Sequence, residues 1–183
     1  TSTTTTAGAA LPKAGGTMTG NLAINNGSPE LHFGTTGNHY NWRLAAQETI
    51  NAAFEIGVGS QDTDYSNDTY VPKLVILSGG NVGIGTSSPA HRLHIQGATT
   101  DQARVRVSNS STGQASLDLN NTEGYFRTYT DGGQYMIYDQ TDGQERLRID
   151  SSGNFGIGVA PSVGKLHVAG NIYSTGSVQG GSA

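Results

Sequence analysis

The chain has 183 residues, of which Gly, Thr, Ser, Asn and Gln together supply 87, whereas Leu, Ile, Val and Phe supply 35, about 19 %. The formal charge is −4, cysteine is absent, and the ten Lys and Arg form no basic run, so a disulfide framework, a thiolate nucleophile, a Cys-held zinc and a nucleic-acid footprint are all excluded. No stretch nears the 18 apolar residues a membrane helix needs, and so few bulky side chains offset little of the roughly 1–2 kcal/mol of conformational entropy per residue, which makes partner chains the expected source of burial.

In chain order, residues 1–19 open with TSTTTTAGAA, which has no periodicity and reads as a linker or lead-in. Residues 20–100 form a first module. Its Asn21–Ile24 and Glu30–Phe33 stretches match, more loosely, Ala103–Val107 and Ser116–Leu119 of the second module. The span from Arg43 to Ala53 lacks an apolar stripe and is expected to be strand and turn rather than helix. Ser60 to Pro72, SQDTDYSNDTYVP, is turn-like and is expected to be an inserted loop. Leu74/Ile76, Val82/Ile84 and Leu93/Ile95 then alternate with polar or small residues, the pattern of half-buried strands.

Residues 101–170 repeat this plan. Arg146–Gly170 aligns without a gap on Lys73–Gly97, with 11 identities in 25 positions. Val105/Val107, Leu147/Ile149, Ile157/Val159 and Leu166/Val168 carry the same alternation, and Ser116–Leu119 matches Glu30–Phe33. Asn-Gly, Gly-Gly and Asp-Gly-Gly punctuate the runs, which is hairpin chemistry. Residues 171–183 form a C-terminal extension. The sequence predicts an all-β fold of two repeated small modules. In the Val-Gly-Ile-Gly runs, Gly83, Gly85, Gly156 and Gly158 leave one strand face without side chains, so another backbone is expected to approach closely there. Three chains about one axis would supply it, with a bend or bulge as the alternative.

The segment LPKAGGTMTGNL, residues 11–22, resembles the GGTMTG segment of bacteriophage tail fibres. GNVGIGTSSP, residues 80–89, followed by Arg92–Ile95, is similar to the GNVGIGT modules of phage tail fibres and tailspikes, of the kind that precede an endosialidase-type chaperone domain. The second copy departs in having Val159 for Thr and in the place of Pro161. The resemblance implies an elongated, intertwined homotrimer of β-sandwich, β-prism or triple-β-helix type. It also implies a virion location, assembly in the host cytoplasm, extracellular action, and partners among other tail proteins and a host surface glycan or protein. The expected function is a non-enzymatic structural and adhesion segment, without cofactor or membrane insertion. The alternatives are a glycan-binding or glycan-degrading tailspike fragment and a bacterial surface protein carrying the same modules.

Within that frame, Asp62, Asp64, Tyr65, Asp68 and Tyr70 of the inserted loop are candidate receptor or interchain contacts, set against a plain solvated loop. Asp62-x-Asp64 hints at calcium, but Asn67 and Lys73 stand where an EF-hand needs Gly and Glu. Tyr125 and Tyr129, flanking Arg127 on one strand face, are a candidate sugar platform or simple cross-strand aromatic pairs. Gly83, Gly85, Gly156 and Gly158 are the expected trimer close-packing positions. His94 and His167 occupy equivalent places and are weak metal candidates, more simply polar strand positions bonding a neighbour. Gly-x-Ser-x-Gly is absent, and Asp139/Asp142 and Asp118/Glu123 are the carboxylate pairs that a glycosidase reading would need.

Overall fold

The computed structural model describes residues 21–61, 68–97 and 103–177. The chain divides into two compact units, Thr1–Arg104 and Val105–Ala183. Among the described residues there is no helix, and each unit is built on one six-stranded sheet.

The first unit contains β1 (Glu30–Phe33), β2 (Trp42–Ala46), β3 (Ala53–Val58), β4 (Val71–Leu77), β5 (Val82–Ile84) and β6 (Leu93–Ile95). The second contains β7 (Ala115–Asn120), β8 (Tyr125–Asp131), β9 (Gln134–Asp139), β10 (Gln144–Ile149), β11 (Phe155–Ile157) and β12 (Leu166–Val168). Strand order follows sequence order in both sheets, antiparallel throughout except for the final pair, β5–β6 and β11–β12, which are parallel. The repeat found in the sequence is therefore a repeat of topology. The expected strand and turn over Arg43–Ala53 is present as β2, a turn and the start of β3.

Loop lengths account for the larger first copy. Twelve residues join β3 to β4 where four join β9 to β10. The turn between β8 and β9 is Gly132-Gly133, both at positive φ (54° and 76°), as a two-residue hairpin with right-handed strand twist requires.

The strand expected at Val105 and Val107 is absent, and the segment it matches in the first module is not a strand either. Leu22 and Ile24, and Val105 and Val107, alternate as a strand would, yet neither segment is a strand and all four side chains are exposed. Period-two alternation needs a neighbouring strand to bond, and among the described residues these segments have none. Val159 likewise lies beyond β11, after a turn at Gly158 (φ 67°).

Parallel neighbours usually need a crossover of a dozen or more residues, commonly helical. Here eight residues suffice, 85–92 and 158–165. The crossover folds flat against the sheet over the central glycine of β5 or β11. A Cβ built on Gly83 would lie 2.4 Å from the Thr86 carbonyl oxygen, and one on Gly156 would lie 2.0 Å from that of Val159. Asn81 Nδ2 donates to Pro89 O at 3.1 Å, and Val82 N to Arg92 O at 2.9 Å, which fasten the first crossover.

The strand registers sort the side chains into two unlike faces, since directly paired residues share a side. On one side of the first sheet the ladder pairs Leu31 with Leu44, Phe33 with Trp42, Ala46 with Phe54, Ile56 with Leu74, and Ile84 with Ile95. Every paired residue on that side is apolar. The second sheet repeats this with Leu119–Phe126, Leu147–Ile157 and Ile149–Phe155, broken by Thr128, Thr130 and, at a corner, the paired Asp139 and Gln144. The opposite sides carry Glu30, His32, Arg43, Glu55 and Gly83, and Asp118, Arg127, Tyr129, Glu145, Arg148 and Gly156.

Burial is inverted relative to an ordinary half-buried sheet. Along β2 and β3 the buried positions are Arg43, Ala45, Ala53, Glu55 and Gly57, while Trp42 and Phe54 between them are exposed. The protein's own loops roof the polar face of the first unit, and the apolar face stays open.

Candidate functional site

The roofed face of the first unit holds a charged cluster. Glu55, 1 % exposed, accepts at Oε1 from Thr49 N (2.9 Å) and Ile50 N (2.8 Å), so it ties down the β2–β3 turn. Arg43 donates from Nη2 to Thr49 Oγ1 at 2.9 Å and lies 3.5 Å from Glu30 Oε2. Tyr70 closes over it, with the guanidinium 4.6 Å from the ring centre, a cation–π geometry that strengthens where water is excluded. His32 bridges the group, its Nε2 2.5 Å from Glu30 Oε2 and its Nδ1 3.2 Å from the Tyr70 hydroxyl.

Of the inserted-loop candidates, Asp62, Asp64 and Tyr65 lie outside the described residues. Asp68 accepts from Ser60 Oγ, which holds its carboxyl below the ordinary value. Tyr70 is buried on Arg43 rather than presented to solvent, and burial raises its hydroxyl pKa.

In the second unit the structure joins the residues that the sequence singled out. Arg127 donates from Nε to Asp118 Oδ1 (2.8 Å) and from Nη2 to Asp118 Oδ2 (3.0 Å) and the Tyr125 hydroxyl (2.8 Å). The Tyr125 hydroxyl in turn donates to Asp118. Arg127, Tyr129 and Tyr138, with Gln114 and Gln140, line a shallow open depression of about 230 Å3. The sequence placed Tyr125, Arg127 and Tyr129 on one face and set Asp118 beside Glu123, whereas the β7–β8 register puts Asp118 opposite Arg127.

The Arg127 guanidinium holds Asp118 down to about 2, with help from Tyr125. A carboxyl whose folded pKa is depressed contributes stability above its unfolded value of about 3.9 and loses it as pH falls through the folded pKa. The expected result is a loss of second-unit stability between about pH 4 and pH 2. Asp139, lowered by Arg146, and Asp150, lowered by the Asn154 backbone, titrate in the same direction. Carboxyl chemical shifts followed by NMR across that range check it, and Arg127→Gln returns Asp118 toward the ordinary value.

The carboxylate pairs fare differently from what a glycosidase needs. Asp139 and Asp142 share one arginine, Arg146, and Asp139 is held low by it. A general acid requires the opposite shift. Asp118 is likewise bound to Arg127.

His94 and His167 pair with Gly83 and Gly156 and sit beside the crossovers. Ala90 N donates to His94 Nδ1 at 3.4 Å, and Ser162 Oγ lies 3.3 Å from His167 Nδ1. Each ring thus holds its own crossover loop, and no group of three or more acidic or histidine ligands occurs among the described residues. The four module glycines meet atoms of their own chain. Gly83 and Gly156 lie under the crossover backbone, a Cβ built on Gly85 (φ 74°) would lie 2.3 Å from Gln96 O, and one on Gly158 (φ 67°) would lie 3.6 Å from the Ala169 Cβ. The close approach expected of neighbouring chains is made here by the chain itself.

No protein-family model matches the sequence, and no curated protein matches it.

Proposed function

We propose that this chain is a structural and adhesion segment of a bacteriophage tail fibre, a non-enzymatic homotrimeric virion component that contributes to host attachment. The observation that carries the reading is the near absence of a private core. Among the described residues the buried apolar side chains are Ala45, Ala53, Tyr70, Val75 and Met136. Burying one large side chain contributes roughly 1.5–3 kcal/mol, whereas ordering each residue costs roughly 1–2 kcal/mol. Five such residues, two of them alanines, do not hold twelve strands in place, so other chains complete the fold. The GNVGIGT module and its GNFGIGV repeat supply the resemblance to tail fibres, and the arginine-bound carboxylates weigh against the glycan-degrading alternative. Such a segment assembles in the host cytoplasm, joins other tail proteins, and acts outside the cell on a host surface glycan or protein.

Sedimentation equilibrium tests this. The expected mass is three times the chain's 19.0 kDa, about 57 kDa, with loss of folded signal on dilution below the association range. A cooperatively folded species at the mass of one chain removes the trimer and with it the reading.

A further inference from the structure

We infer that the open apolar face of each sheet, and not the glycine face, is the surface on which copies of this chain meet. The inference rests on the self-association proposed above and adds which side of the sheet forms the contact. The glycine face is roofed in the first unit, and in the second it is taken up by the crossover and ion pairs apart from the shallow depression at Arg127, Tyr129 and Tyr138. Its bare positions lie under the crossover backbones, and its charged side chains are engaged with one another.

The apolar face is the reverse. Leu31, Phe54 and Ile84 in the first unit are 39 %, 43 % and 42 % exposed, and Leu117, Phe126 and Ile157 in the second are 54 %, 41 % and 45 % exposed. They sit in one ladder per sheet, apolar throughout in the first and interrupted by Thr128, Thr130, Asp139 and Gln144 in the second. Six strands about 4.8 Å apart, averaging about five residues of about 3.3 Å, give each face about 450 Å2. Two such faces per chain amount to about 900 Å2, which meets the roughly 800 Å2 per partner of a stable protein interface.

The occupant is a further copy of the same chain. A face that must be covered before its unit is stable needs a partner present whenever the chain is made, and only its own copies meet that condition by construction. The face carries no charge on the first sheet, so it offers no sign pattern for a foreign partner yet complements itself. Both units present the same ladder, so parallel copies bring like against like twice.

The absence of cysteine gives a clean test. Single thiols are introduced on the apolar face by Ile84→Cys and Ile157→Cys, and on the exposed crossovers by Ser88→Cys and Val163→Cys. Each full-length variant is reacted with a maleimide, and its mass is read by sedimentation. The inference expects trimeric variants in which the Ile84 and Ile157 sites react at least about tenfold more slowly than the crossover sites, with the difference abolished in denaturant. Trimers whose Ile84 and Ile157 sites react at the free rate overturn the face assignment and leave the trimer standing. A folded species at the mass of one chain with free reaction overturns the trimer itself. Protection at that mass means that a segment of the same chain covers the face, and this too overturns the inference. A variant that fails to fold is replaced by Phe54→Cys or Phe126→Cys on the same ladders.

Discussion

Gly156→Ala is expected to destabilise the second unit by about 3 kcal/mol or more, the upper range for forcing volume into a filled site. The added methyl would stand 2.0 Å from the Val159 carbonyl oxygen and 2.8 Å from the Pro161 ring. Both obstacles are backbone or ring atoms, so neither yields by a rotamer change. For a unit of this size a loss of that order lowers Tm by roughly 10–20 °C. Gly83→Ala in the first unit has the same character, against the Thr86 carbonyl at 2.4 Å. Two controls separate crowding from backbone strain. Gly158→Ala meets only ordinary contact and suffers chiefly from its φ of 67°, at a cost of about 1–2 kcal/mol. Gly79→Ala, with nothing within 4 Å, leaves Tm unchanged. Differential scanning calorimetry at one fixed protein concentration reads all four.

The second large effect is expected at Glu55. Glu55→Ala strips the acceptor from two backbone N–H groups, those of Thr49 and Ile50, and leaves Arg43 buried among fewer negative charges. Taking the acceptor from two part-buried backbone donors costs about 1–3 kcal/mol. Glu55→Gln keeps an oxygen for the same two donors, so it costs less than the alanine change. The chain's one tryptophan, Trp42, lies on β2 beside the cluster. Urea unfolding followed by its fluorescence therefore reports on the affected unit. Equal midpoints for Glu55→Ala and the parent would show that the carboxylate does not fasten the β2–β3 turn.

Much of the architecture was legible because strands and turns are written locally. The period-two runs around Leu74, Val82, Leu147 and Phe155 became strands, and the Gly132-Gly133 turn adopted the positive φ values its composition announces. Leu22/Ile24 and Val105/Val107 show the limit of that rule. Alternation states which side chains share a side, but a strand also needs a neighbour to bond.

The sense of the sheet was not legible. Aliphatic residues at alternate positions are ordinarily read as facing inward, and here they face out. What decides the matter is the fate of the other side. Tyr70 lies 27 residues from Arg43 in sequence yet stacks on it, and eight-residue crossovers settle on Gly83 and Gly156. Tyr70 is far from Arg43 in sequence, and the crossover, though its closest atoms are three residues from each glycine, carries no periodicity that announces where it folds. The glycines announced that a backbone would come close, but not whose. Among the candidate contacts, Tyr125, Arg127 and Tyr129 were placed on the correct common face, and Tyr70 proved to be interior for the same reason that the sheet's sense was hidden.

The flat crossover bears on how such a chain lengthens over evolutionary time. A unit that seats its own crossover on one side, and offers a mostly apolar ladder on the other, has little to renegotiate when its coding segment is duplicated. Drift is then free to act on loop length, as the twelve-residue and four-residue β-connections in the two copies show. Gly83 and Gly156 would tolerate almost no drift, because a single methyl there lifts the lid from its seat.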